Sequence, residues 1–172
     1  MKLLRWVFSL AIAIGVAGIS HDAAAQSPAD AKRTLKAWQA FYKEPGMAEA
    51  DPRYMKGLLL ITGSVPEEGL KAKADTIAKE TKGVKEVKNR LTVRPAEPTP
   101  TDAELQAKID GKIEEDEDSQ KAKAKGQLNV VVKDGNVTVE GKVPDYTVAS
   151  SVINDIRKTP GVKTINFDEL KY

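Results

Sequence analysis

The sequence predicts an α+β fold built as two tandem copies of a small α-β-β-α-β module, each a mixed three-stranded sheet covered by two helices. Three observations predict it: an internal repeat at a spacing of 78 residues, strand and helix periodicities that recur in the same order in both copies, and a proline-rich stretch between them. In an ungapped comparison, residues 57–88 align with 135–166. Identities fall at Gly57/Gly135, Gly63/Gly141, Val65/Val143, Pro66/Pro144, Thr81/Thr159, Gly83/Gly161, Val84/Val162 and Lys85/Lys163. Half of these identities are glycine or proline, residue types that set backbone direction, so the repeat is one of structure.

The chain of 172 residues opens on a segment that belongs to neither copy. Lys2 and Arg5 precede an uncharged apolar run of 14 residues, and Ala23-Ala24-Ala25 follows it. That run is short of the roughly 20 residues a membrane-spanning helix needs, and the small residues suit signal peptidase. We read residues 1–25 as a signal peptide cleaved after Ala25, in preference to an uncleaved anchor, and expect a periplasmic protein, either free or peripheral at a membrane. Cleavage removes Lys2, Arg5, His21 and Asp22, which leaves 25 basic and 24 acidic residues and a net charge of +1. It also removes the sole histidine.

Residues 28–94 form the expected first module. Leu35, Trp38, Phe41 and Tyr42 give an aromatic helix stripe. The stretch 44–52 then carries two prolines and a glycine where the first strand of a hairpin belongs, so this hairpin is expected to be degenerate, with Tyr54 and Met55 as its remnant. Leu59-x-Ile61 alternates with period 2 as a half-buried strand ending at Gly63. Pro66 suits the first turn of a helix, Glu67 and Glu68 complement its dipole, and Leu70, Ala74, Ile77 and Ala78 form its apolar stripe. Gly83 fits the left-handed stop after that helix, and Val84-x-x-Val87 continues through Leu91 and Val93 as a strand.

Residues 95–101 are a proline-rich linker. Three prolines in six residues make a stiff spacer that would hold its ends about 20 Å apart if fully extended. Residues 102–172 form the second module. Thr101 or Asp102 caps a helix marked by Ala103, Leu105, Ile109 and Ile113. Leu128 to Val132 and Val137-x-Val139 are joined across Asp134-Gly135, a strong hairpin signal. Val148, Val152, Ile153 and Ile156 mark the crossover helix, Gly161 its stop, and Val162-x-x-Ile165 through Phe167 the last strand. A strand-helix-strand unit of this length makes its two strands parallel with a right-handed crossover.

Composition excludes much chemistry. With no Cys there is no disulfide, thiolate zinc site or Cys nucleophile, and without His no imidazole metal ligand or Ser/His pair. Near-neutral net charge argues against a dedicated nucleic-acid binder. The glycines bracket strands instead of opening a helix, which argues against a phosphate loop. No enzyme activity, cofactor, metal or small-molecule substrate is expected, and Tyr146 and Ser150-Ser151 lack a base partner.

Gly63-Ser64-Val65, Ala74, Ile77-Ala78 and the run Gly83-Val84-Lys85-Glu86-Val87-Lys88-Asn89-Arg90-Leu91-Thr92-Val93 resemble the BON domain (bacterial osmotically inducible and nodulation proteins). So do Gly135-x-Val137-x-Val139-x-Gly141-x-Val143 and Gly161-Val162-x-x-Ile165-Asn166. The second copy departs where Asp168-Glu169 replaces the apolar close. The resemblance implies an exported, non-enzymatic module that binds phospholipid surfaces and supports envelope integrity or an osmotic stress response.

One feature of the residues themselves fits lipid binding. Lys71, Lys73, Lys79, Lys82, Lys85, Lys88, Arg90 and Arg94 face only Asp75, Glu80 and Glu86 in the same span, an excess of five positive charges. Each basic residue near an anionic surface contributes about 1 kcal/mol, so a group of them gives reversible, salt-sensitive adsorption. Lys71, Lys82, Lys85, Lys88 and Arg90 are the candidate lipid-binding residues, and Gly63, Gly83, Gly141 and Gly161 the structural glycines. The competing reading is an ordinary solvated helix face. For the acidic run 114–118, a solvated helix end is favoured over a cation site, because the calcium-loop spacing is missing. For Trp38, Phe41 and Tyr42, core packing is favoured over membrane insertion. The expected partners are an anionic phospholipid surface or envelope proteins. The alternative function is a protein-interaction or chaperone-like module working through sheet edges or an apolar helix face.

Overall fold

The computed structural model describes residues 27–95 and 100–172; the expected signal peptide and most of the proline-rich linker lie outside the described residues. In the first module, α1 (Pro28–Tyr42) is followed by the antiparallel hairpin β1 (Ala50–Met55) and β2 (Leu58–Val65), the crossover helix α2 (Glu68–Glu80), and β3 (Glu86–Asn89) continued by β4 (Thr92–Val93). The second module repeats this plan with α3 (Asp102–Glu115), β5 (Leu128–Lys133), β6 (Asn136–Lys142), α5 (Tyr146–Arg157), β7 (Thr164–Asn166) and β8 (Leu170–Lys171), and adds α4 (Glu117–Ala124) before the hairpin.

Each sheet has a central strand, β2 or β6, with an antiparallel neighbour on one side and a parallel one on the other. The parallel partner is broken in two, so the three-stranded plan becomes four segments in each sheet, β4 pairing with β2 and β8 with β6. Side chains make the breaks: the Asn89 Oδ1 accepts from Leu91 N–H and the Asn166 Oδ1 from Asp168 N–H. The Asp168-Glu169 departure therefore falls at the break, and Phe167 and Leu170 supply the buried apolar close.

The first hairpin is complete, which corrects the expectation of a degenerate one. β1 pairs with β2 from Ala50↔Gly63 to Met55↔Leu58, with Pro52 in its interior. The proline is tolerated because β1 is an edge strand. In an antiparallel strand the N–H and C=O of one residue point the same way. The Pro52 carbonyl accepts from the Trp38 indole at 2.9 Å, so the N–H that proline lacks would have pointed at α1 and away from β2.

Both central strands also run past the glycine expected to end them. Gly63 (φ +101°) and Gly141 (φ +119°) sit inside β2 and β6, where an added Cβ would lie 2.2 Å from the Glu49 carbonyl oxygen and 2.0 Å from that of Gln127. Only glycine admits that approach. Pro66 and Pro144 stand one residue before the N-caps, Glu67 and Asp145, and not within the first turn. The Asp145 carboxylate does the capping, accepting from Thr147 and Val148 N–H.

The core of each module lies between the sheet and its helices. Leu59, Ile61 and Val65 meet Leu70, Ala74 and Ala78 in one, and Val137, Val139 and Val143 meet Val148, Val152 and Ile156 in the other, all buried. Trp38, Phe41 and Tyr42 are buried too, Phe41 and Tyr42 completely, as core packing requires. The buried apolar side chains of the two modules form one connected set. The modules are therefore in contact, contrary to the picture of a spacer holding them apart.

Candidate functional site

The contact between modules decides which surfaces are free. Its centre is a carboxylate shared by two guanidinium groups: Asp51 Oδ2 on β1 accepts from Arg53 Nε and from Arg157 Nη2, each at 3.1 Å. Arg157 comes from the end of α5, its side chain 8% exposed, with its guanidinium carbon 5.8 Å from the Trp38 ring centroid and its Nε donating to Asn154. Around this centre, Gly46 N–H donates to the Lys163 carbonyl, Lys43 pairs with Asp168 at 2.6 Å, and Gly161 packs on Pro100. The turn from α5 to β7 is thus applied to the first module, and Lys158, Pro160, Gly161, Val162 and Lys163 line clefts together with Glu49 and Arg94.

The same turn of the first module, from α2 to β3, faces solvent. It carries Lys82, Gly83 (φ +91°) and Lys85, with both lysines exposed. Lys85 N–H donates to the Gly57 carbonyl at 2.7 Å, and the Lys85 stem lies over Gly57, which fixes this lysine beside the hairpin turn. At that turn Lys56 (φ 47°) is exposed. Arg33 joins from α1: its guanidinium carbon sits 5.1 Å from the Tyr54 ring centroid, and the Tyr54 hydroxyl donates to the Gly83 carbonyl at 2.9 Å. Four cationic side chains, Arg33, Lys56, Lys82 and Lys85, therefore gather at one end of the first module. Two acids lie close by: Asp30, which accepts from Lys56 N–H and lies 3.7 Å from Arg33, and Glu86, which follows Lys85, donates its own N–H to the Gly57 carbonyl and pairs with Lys88. Neither Lys82 nor Lys85 has an ion-pair partner among the described residues.

The five residues singled out from sequence thus divide. Lys82 and Lys85 belong to this end. Lys88 stands on the exposed side of β3 beside Glu86, 3.7 Å away, and Arg90 is exposed just beyond that strand. Lys71 lies at the other end of α2, paired with Glu68 at 3.0 Å, while its carbonyl accepts from Asn89. Sequence reasoning missed Arg33 and Lys56. The signal for Lys56 was present one position upstream of the aligned window, where Lys56 matches Asp134, the residue that opens the second tight turn.

The repeat shows that this end is particular to the first copy. At the same spacing Lys71, Lys82, Lys88 and Arg90 correspond to Ala149, Pro160, Asn166 and Asp168, and only Lys85 meets another cation, Lys163. The Lys163 ammonium donates to the Asp134 carbonyl at 3.1 Å. Packing supplies the reason, because a crowd of uncompensated lysines would be costly against a neighbouring module.

Elsewhere the acidic run is split between two helices. Asp116 ends α3 and caps α4 by accepting from Ser119 N–H, and Lys123 bridges Asp110 and Glu114. Among the described residues no three or more acidic or imidazole side chains converge as a metal site, and no helix is long and apolar enough to cross a membrane.

Comparison with known proteins returns one family. The family model for the BON domain matches residues 56–95 and 101–172. No curated protein matches the chain. Two solved structures, both described as CdsD, a structural protein of the type III secretion system of Chlamydia trachomatis, one of them as its C-terminal domain, align at 12% and 14% identity. Each alignment covers 80% of this chain, with TM-scores of 0.32 and 0.33. The chain spans 66% and 63% of their length.

Proposed function

Because this chain belongs to the BON domain family, we propose that it is a non-enzymatic periplasmic protein that adsorbs to anionic phospholipid at the envelope surface, and so supports envelope integrity under osmotic stress. The observation that carries this reading is the solvent-facing basic end of the first module, with Lys82 and Lys85 at its tip and Lys88 and Arg90 along the adjoining strand. Long cationic side chains on tight turns reach an anionic surface without unfolding anything, and four or five of them at about 1 kcal/mol each give binding that is reversible and screened by salt. In this reading residues 1–25 are the cleaved signal, 28–94 and 102–172 the modules, and 95–101 the linker.

The alternative, a protein-interaction or chaperone-like module, has fewer open edges to use, since α1 and α3 occupy the outer edges of β1 and β5. Vesicle co-sedimentation of the form starting at Gln26 tests the proposal. Binding to phosphatidylglycerol-containing vesicles but not to neutral ones is expected, falling as salt rises. Changing Lys82, Lys85, Lys88 and Arg90 together to Gln should remove most of it while leaving thermal stability nearly unchanged, because exposed charges contribute little to folding. Equal sedimentation of parent and variant would move the surface elsewhere.

A further inference from the structure

We propose that the cleft between α1 and α5, where the two modules meet, binds a small monoanion that carries several hydroxyl groups, of the size and chemistry of a sugar acid. The cleft has a volume of about 250 Å³ and is lined by the Trp38 side, Arg53, and the hydroxyl and amide groups of Thr147, Ser150, Ser151 and Asn154. Among the described residues no carboxylate lines it.

Its chemistry is that of unused donors. Arg53 spends Nε on Asp51, and its two Nη groups have no acceptor among the described residues, while its side chain is 56% exposed. Asn154 spends its oxygen on Arg157, and its NH2 has no acceptor among the described residues. Thr147 and Ser150 have no side-chain partner among the described residues, and Ser151 donates to Asp116 at 3.2 Å. Spaced three and four residues apart on α5, Thr147, Ser150, Ser151 and Asn154 present one polar face toward the cleft.

The charge points the same way. Asp51 is one carboxylate between two guanidinium groups, and Arg157 is buried, so the positive charge left over is presented by Arg53 at the mouth. A single acceptor anion satisfies it, a guanidinium fork being suited to a carboxylate. Hydroxyls on the ligand then match the row on α5, and the small volume excludes an acyl chain or a folded partner. No residue that lines the cleft belongs to the proposed membrane surface.

The test uses D-gluconate as probe, with D-glucose, which keeps the hydroxyls, and acetate, which keeps the charge. Trp6→Phe in the full chain leaves Trp38 as the only tryptophan reporter. Saturable change in Trp38 emission is expected with gluconate, with glucose and acetate at least about tenfold weaker. Arg53→Gln should weaken gluconate about tenfold or more. Ser150→Leu fills the cleft without touching the Asp51 cluster and should abolish the response. The proposal fails if gluconate gives no saturable change, if acetate or glucose binds as tightly, or if a folded Ser150→Leu variant binds gluconate like the parent. That last arm decides the matter even where Arg53→Gln disturbs folding.

Discussion

Arg157 carries more than one task, and its neighbours show why a single substitution there should be severe. It neutralises Asp51, whose Oδ1 is already buried without a hydrogen-bond partner among the described residues, and it stacks on Trp38. Arg157→Met would leave the Asp51 carboxylate with Arg53 alone. Removing one partner of a buried ion pair costs about 3–5 kcal/mol, whereas replacing both by apolar residues is often neutral. Urea unfolding should therefore show a large loss for Arg157→Met and recovery of much of it in Asp51→Leu/Arg157→Met; a double variant as weak as the single would mean that the pair itself is what stabilises. Tyr42 gives a pH test. Burial pushes its phenol well above the usual tyrosine range, with the Asp51 charge adding to the effect against Arg157 and Arg53. The folded state then holds the phenolic proton more tightly than the unfolded one. This contribution is complete below the ordinary tyrosine value and is lost as pH rises above it toward the folded value. Tyrosinate absorbance from Tyr42 should appear only together with alkaline unfolding, and ionisation in a folded chain would contradict the buried placement.

At the scale of elements, the finding that organises both modules is how the first helix stitches the edge of the first strand. Asp30, Thr34, Trp38 and Tyr42, four residues apart on α1, bond to the backbone of Lys56, Tyr54, Pro52 and Ala50, two residues apart along β1 and the first residue of the turn after it. Four helical residues rise about 6 Å and two strand residues about 6.6 Å, so the two ladders stay in step for four rungs. In the second module Asp102 accepts from Asp134 and Gly135 N–H, and Gln106 both accepts from Val132 N–H and donates to the Val130 carbonyl. Gln106→Leu would leave that edge unpaired and partly buried. We expect a loss of about 1–3 kcal/mol and faster amide exchange at Val132 than at Val139 on the central strand; unchanged exchange at Val132 would show that the edge does not depend on the helix.

The same comparison explains what the sequence disclosed and what it hid. Strands, crossover helices and tight turns were legible because glycines and alternating apolar residues recur at a fixed spacing of 78. The opening helix of each module was legible from its apolar stripe, but its polar contacts with the strand edge were not, since Asp30 and Thr34 match Asp102 and Gln106 at a spacing of 72 residues. The six residues of difference fall between helix and hairpin, where the second module carries α4. β1 was hidden for another reason. Propensity counts Pro52 against any strand, and only the direction of its carbonyl, toward Trp38, shows that the missing N–H cost nothing. Of the candidate surface, the lysines were visible as a charge excess. Their division between a turn, a strand face and a helix start depended on tertiary contacts, as did the arrival of Arg33 from α1.

For the whole molecule, duplication has produced two copies of one unit in unequal positions. The second presents its α5–β7 turn to the first, and the first presents the corresponding turn to solvent. That asymmetry is the physical ground for the proposal of a single membrane-facing end, and under that proposal it predicts where lipid should be felt. The direct measurement is paramagnetic broadening of backbone amides by a nitroxide on the lipid headgroups of phosphatidylglycerol-containing vesicles. Broadening concentrated at residues 56–57 and 82–85, and spared at 158–163, is the predicted result. Equal broadening at the two turns, or broadening centred on α5, would contradict it.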